Sequence, residues 1–271
     1  MKFRKICNVF LSLLLILMIS VPVAFASSTI EESTIVEEGL IHPYVQMPDE
    51  SQWASGQLSV HQSTHQFITD KAIAIFVRDF GSFPLSGYTS TLRVASDWPD
   101  TEEEESSGLF KGHFYDPDTQ KNYRGETSPT ARTKLVSWYN QAVSAYKAGN
   151  KTTAMQCLGR ALHYAEDLST PHHAANKIAY ASYHKEYEQW VQEHQTNYIE
   201  QNASSATYTW AKKTSVSDMG HNFAVNAKAL INDADSGIES RYATATATAL
   251  PKAQRNTVAI LYKFCVDVGL K

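Results

Sequence analysis

The 271-residue sequence predicts an all-α fold, a single compact multi-helix domain. Three observations carry that prediction. Six segments repeat apolar residues at intervals of three and four, the spacing of one buried helix face. Runs of alternating, strand-like residues are scarce. Pro171 and the Gly149-Asn150 pair stand where helices would have to stop.

Taken in order, the chain opens with a basic start at Lys2, Arg4 and Lys5, an apolar stretch from Val9 to Val23, and the small residues Ala24 and Ala26 around Phe25. This is the layout of a cleaved secretory signal over residues 1–26. The apolar run is short for a membrane span, which takes about 20 residues. A secreted, extracellular protein is expected. Residues 27–52 hold Glu31, Glu32, Glu37, Glu38, Asp49 and Glu50, two prolines and no Lys or Arg, and read as an acidic propeptide. The chain carries 24 basic and 28 acidic residues; three basic ones fall in the signal and six acidic ones in the leader, which leaves 21 against 22 from Trp53 onward. That near-neutral balance argues against nucleic acid as an electrostatic partner.

Residues 53–271 are enough to bury the core of one domain. Helical spacing recurs over Phe67 to Phe80, Ala131 to Ala148, Thr152 to Leu168, Tyr183 to Tyr198, Val216 to Ile238 and Ala253 to Val268. The stretch from Gly81 to Thr127 is rich in Gly, Ser, Pro and acidic residues and is expected to be a long irregular loop. Cys7 leaves with the signal; Cys157 and Cys265 either pair or stay as separate buried thiols.

The chain holds ten histidines, and their positions point to metal. On the helix that ends near Leu168, His163 and Asp167 are four apart and share a face, with Cβ atoms about 6 Å from each other. His184 and Glu188 repeat that spacing on the next helix. Zinc takes three or four N, O or S ligands, and a His with a carboxylate one turn away supplies two from a rigid backbone. Either pair alone reads equally well as a surface hydrogen bond. Between them lies Ser169-Thr170-Pro171-His172-His173-Ala174-Ala175-Asn176, a helix stop with two more histidines, and His65, Asp97 and His113 stand upstream.

The string from His163 to Asn176, with His184 and Glu188 after it, resembles the zinc-dependent phospholipase C family, which includes the Bacillus phosphatidylcholine-preferring enzymes and the catalytic domain of clostridial alpha-toxin. The resemblance extends to Gly112 to Asp118, to Ser96-Asp97-Trp98 and to His65 through Ile73. It implies three Zn²⁺ ions. One would be held by the amine and carbonyl of Trp53 as mature N-terminus, with His65 and Asp167; one by His113, His163, Asp167 and Asp97; one by His173, His184 and Glu188. Imidazole and carboxylate suit zinc without thiolate. The implied reaction is hydrolysis of a glycerophospholipid to diacylglycerol and a phosphorylated head group by zinc-bound hydroxide, with Asp97 as candidate general base. No Gly-x-Ser-x-Gly nucleophile motif is present.

Trp98 and Phe110 fall, by the same resemblance, where aromatic rings line a choline pocket. Gly56 occupies the place of the pocket's acidic residue, and Asp100 with Glu102 to Glu105 forms an acidic run nearby. The expected partner is phospholipid at a membrane or micelle surface, met by a monomer without the extra C-terminal domain of the toxins. His42, His61, His194 and His221 read as surface or core residues. The competing readings are an S1/P1-type zinc nuclease and a non-catalytic, zinc-stabilised membrane-binding protein.

An α-amine, whose pKa is about 7.7 to 8.0, can bind zinc near neutral pH, whereas the amide nitrogen of an uncleaved chain cannot. Protein starting at Trp53 should therefore bind more zinc and turn over faster than protein with one residue added before Trp53. Equal zinc content and rate in the two forms would remove Trp53 from the ligand set.

Overall fold

The structure, a computed structural model, describes residues 62–101 and 110–271. Among these the chain is helical, and the sole β feature is an isolated bridge between Asp116 and Lys121. Helix α1 spans Thr64–Phe80, α2 Thr89–Ala95, α3 Trp98–Thr101, α4 Ala131–Lys147, α5 Lys151–Asp167 and α6 Pro171–Ala174. Then come α7 His184–His194, α8 Ser205–Lys213, α9 Val216–Lys228, α10 Ile231–Ala234 and α11 Glu239–Asp267.

Local chemistry sets the ends. The Ser63 hydroxyl accepts from the Gln66 amide to start α1, and Gly81, at φ 79°, ends it in the left-handed conformation. Thr130 and Thr133 form a reciprocal capping box at the start of α4. Gly149, at φ 87°, makes the sharp reversal into α5. Pro171 sits in the first turn of α6, where its missing N–H costs nothing.

Helix α5 is the central element. From Ala161 to Asp167 every residue is buried, so its C-terminal half has no solvent face. Helices α4, α2 and α11 pack on it, and α1 and α8 pack on α11.

Three expectations are corrected. The stretch from Gly81 to Thr127 is not one long loop: it contains α2 and α3, with Leu92 and Ala95 of α2 buried against α5. The segment from Val216 to Ile238 breaks into α9 and α10. Helix α11 begins at Glu239, well before Ala253, and runs through Pro251. A proline deletes one helical hydrogen bond, but Ala245, Ala249 and Leu250 before it and Ala253, Val258 and Leu261 after it are all buried, so packing holds both halves in one helix. Helix α8, with Tyr208 and Ala211 buried, was not anticipated. Cys157 and Cys265 are both buried free thiols. No helix among the described residues is long and apolar enough to cross a membrane.

Gly159 is what lets α2 lie on α5. A Cβ there would stand 2.5 Å from Ala95 Cβ and 2.8 Å from the Leu92 carbonyl oxygen. In an exposed helix Gly→Ala stabilises by about 1 kcal/mol. Gly159→Ala should instead destabilise by about 1–3 kcal/mol, the usual cost of overpacking, measured by chemical denaturation. A gain in stability would show that α2 is free to retreat.

Candidate metal centre

The last turn of α5 delivers His163, Glu166 and Asp167, all fully buried. Helix α6 follows at once and places His173 on the same cleft, while α1 contributes His65 from its first turn. His113 arrives on the 3-10 turn Lys111–His113, tied to α6 because the Tyr115 amide donates to the His173 carbonyl at 3.1 Å. Helix α7 opens with His184 and presents Glu188 one turn later.

Asp167 sits at the middle of the cluster. Its Oδ2 lies 2.9 Å from His113 Nδ1 and 3.2 Å from His163 Nε2, and its Oδ1 lies 3.5 Å from His173 Nδ1 and 3.9 Å from His65 Nε2. Asp100 closes the other side, with Oδ1 3.3 Å from His163 Nε2 and Oδ2 3.6 Å from His65 Nε2. Separately, Glu188 Oε1 lies 2.8 Å from His184 Nε2 and 3.3 Å from His173 Nε2. Three sets of donor atoms thus converge, each within 4.8 Å: His65, Asp100 and His163; His113, His163 and Asp167; His173, His184 and Glu188.

The far nitrogens of several rings are fixed from behind. The Ser96 carbonyl accepts from His163 Nδ1 at 2.8 Å, and the His113 carbonyl accepts from His173 Nδ1 at 2.9 Å. Each bond turns the ring's Nε2 toward the cleft.

Burial and mutual charge split the titrations. Burial alone would push His163 down, but the charges of Asp167 and Asp100 hold it up at about 10. Burial would likewise raise Asp167, yet His163, His173 and His113 carry it well below the carboxylate range. Where such support is weaker, burial wins: it lowers His65 and His113, lowers His184 to about 4, raises Glu188 to about 8, and pushes Asp100 well up.

The donor set fits zinc on two counts. It is imidazole and carboxylate throughout. Moreover, neither oxygen of Asp100 nor Oε2 of Glu188 has a hydrogen bond among the described residues, although all three atoms are buried. Unsatisfied buried carboxylate oxygens are costly, and a bound cation satisfies them.

Of the residues expected from sequence, the structure brings together His65, His113, His163, Asp167, His173, His184 and Glu188. Trp53, Gly56 and Glu102 to Glu105 lie outside the described residues. The clusters contain Asp100 and not Asp97. Asp97 accepts from Ser63 Oγ at 2.7 Å and from the Gln66 side-chain amide, so it braces the turn that carries His65. Two aspartates three apart around Pro99 carry no periodic signal that would distinguish them. Trp98 has the Arg160 guanidinium over its ring at 4.4 Å, and Trp138 takes the same group at 4.9 Å. Phe110 is buried, with its ring 5.7 Å from that of His113. His172, beside His173, stacks parallel on His184 at 4.8 Å and contributes to none of the three sets. Among the remaining histidines, His194 stacks on Trp190 and His221 contacts the Tyr115 hydroxyl.

A helical chain whose interior gathers histidines and carboxylates in this way carries the donor set of a metalloprotein. Residues 64–244, more than half of the chain, match the family described as zinc dependent phospholipase C, and the chain belongs to that family. It is similar to the phospholipase C of Bacillus cereus, at 32% identity over 187 residues, 63% of this chain and 64% of that one. It is similar to the phospholipase C of Clostridium perfringens, at 27% identity over 243 residues, 76% of this chain and 59% of that one. Among solved structures, the alpha toxin of Clostridium absonum superposes with a TM-score of 0.71 at 25% identity, over 81% of this chain and 66% of that one. The chain spans less than two thirds of the length of each of these proteins.

Two aspartate variants separate a donor from a brace. Asp100→Asn should lose at least one zinc per chain by elemental analysis. Asp97→Asn should keep its zinc and lower the melting temperature, because the Ser63 and Gln66 bonds weaken. The reverse pattern would exchange the two roles.

Proposed function

We propose that this chain is a secreted phospholipase C that hydrolyses glycerophospholipids to diacylglycerol and a phosphorylated head group, with three zinc ions in the cleft around Asp167. The observation that carries the reading is the convergence of three buried donor sets, two of which share His163, around an Asp167 whose oxygens lie 2.9 Å from His113 and 3.5 Å from His173, in a chain of this family. His65, Asp100 and Asp167 would hold one ion, together with Trp53 at a processed N-terminus. His113, His163, Asp100 and Asp167 would hold the second, and His173, His184 and Glu188 the third. Zinc bound in such a site polarises phosphodiester oxygens and lowers the pKa of water toward neutrality.

The chain's own residues do the positioning. Asp167 ties two donor sets to one side chain, so their spacing is set by a carboxylate rather than by loop conformation. The role of general base proposed for Asp97 passes to Asp100, whose carboxylate faces His163 and His65 within the cleft while Asp97 is engaged by Ser63 and Gln66. On the head-group side, Arg160 already occupies a face of Trp98, and a guanidinium there leaves that face closed to choline. We therefore expect only modest discrimination between choline and ethanolamine lipids.

The test is release of phosphorylated head group from mixed micelles of phosphatidylcholine and phosphatidylethanolamine, set beside hydrolysis of single-stranded DNA. Lipid hydrolysis should vanish with a chelator and return with zinc, and the melting temperature should fall with zinc removed. DNA hydrolysis without lipid hydrolysis would replace this reading with that of a nuclease.

A further inference from the structure

Glu166 belongs to none of the three donor sets, yet it is a fully buried glutamate next in sequence to Asp167. Successive helical residues point about 100° apart, so Asp167 faces the cleft while Glu166 faces the packing between α5, α1 and α11. Its contacts come from those two helices. Glu166 Oε2 lies 2.8 Å from His65 Nδ1, and its Oε1 accepts from Thr69 Oγ1 at 3.1 Å and from Thr257 Oγ1 at 3.4 Å. Thr69 stands one helical turn after His65 on α1, and Thr257 projects from α11.

A buried carboxylate is expensive to keep, and a glutamine or a methionine would fill the same space at lower cost. What a carboxylate does here that neither would do is act on the imidazole. With Nδ1 facing Glu166, the nitrogen left to the cleft is His65 Nε2, the atom that lies 3.6 Å from Asp100 and 3.9 Å from Asp167. A ring N–H held by a carboxylate makes its other nitrogen a stronger ligand than one held by a carbonyl, and loss of such a partner weakens metal sites by about 10- to 100-fold. His163 and His173 have main-chain carbonyls in the corresponding place.

We infer that Glu166 is a positioning residue which fixes the Nδ1–H form of His65, aims Nε2 at Asp100 and Asp167, and selectively strengthens the zinc site to which His65 contributes. The inference rests on the zinc-cleft reading above. The two threonine hydroxyls, as donors to Oε1, keep the carboxylate turned so that Oε2 meets the ring.

The experiment compares wild-type protein with Glu166→Gln in buffers of graded free zinc, counting zinc per chain by elemental analysis. Glutamine keeps the shape and can still accept from His65, but without the charge. The expected result is that Glu166→Gln gives up one zinc at a free concentration about 10- to 100-fold higher than wild type does, while retention of the other ions is unchanged. In zinc-loaded wild type, ¹⁵N NMR of labelled histidines should show the proton of His65 on Nδ1, with the signal assigned by its absence in His65→Gln. This measurement also decides the matter should Glu166→Gln fail to fold. Identical zinc release by the variant and wild type, or a His65 proton on Nε2, would overturn the inference while leaving the zinc-cleft reading intact. Wild-type protein that holds no zinc would overturn both.

Discussion

His163 and Asp167 face each other one turn apart at the end of α5, both buried, and the arrangement of the cleft follows from that pair. An ionised carboxylate in such a place is tolerated only with close compensation, and removing one member of a buried pair typically costs about 3–5 kcal/mol. Asp167 finds its compensation in several directions, since His113, His163 and His173 all lie within 3.5 Å of its oxygens. Each of those histidines comes from a different element, so the charge of one side chain recruits α5, α6 and the turn at Lys111–His113 to a common point.

That recruitment needs a rigid support, which the packing of α2 on α5 provides. With no Cβ at Gly159, α2 approaches until Leu92 and Ala95 touch α5, and the chain leaving α2 brings the Ser96 carbonyl to His163 Nδ1. Within four residues the same segment supplies Asp97 to the start of α1 and Asp100 to the cleft. A single small residue on the central helix thereby sets the position of one ring and two carboxylates. The apolar core and the polar cleft are consequently one construction, and a displacement of α2 would register in both.

Seen from the sequence, the parts that follow helical periodicity were legible. His163 with Asp167, and His184 with Glu188, share helix faces by spacing alone, and the order of elements around Gly149 and Pro171 was set by stop signals. The parts that depend on close packing were not. Choosing Asp100 over Asp97 as the cleft residue requires the turn after α2, which depends on Gly159 contacting residues more than sixty positions away. Glu166 was hidden for a similar reason: its partner Thr257 is 91 residues distant, and a glutamate beside a candidate ligand carries no periodic signal of its own. The apolar spacing that marked a helix from Ala253 missed its first half, where burial on both sides of Pro251 sustains a continuous helix from Glu239.

The cleft resolves the burial of its charges in two ways. In the His163–Asp167 pair both groups stay charged, His163 holding its proton at a pKa of about 10 against an ionised carboxylate. Around Glu188 the groups are driven toward neutrality, the carboxyl rising to about 8 and His184 falling to about 4. Both halves thus place a proton on a prospective donor, His163 in one and Glu188 in the other. A ligand atom must shed its proton to bind metal, so filling either half releases a proton from a buried group.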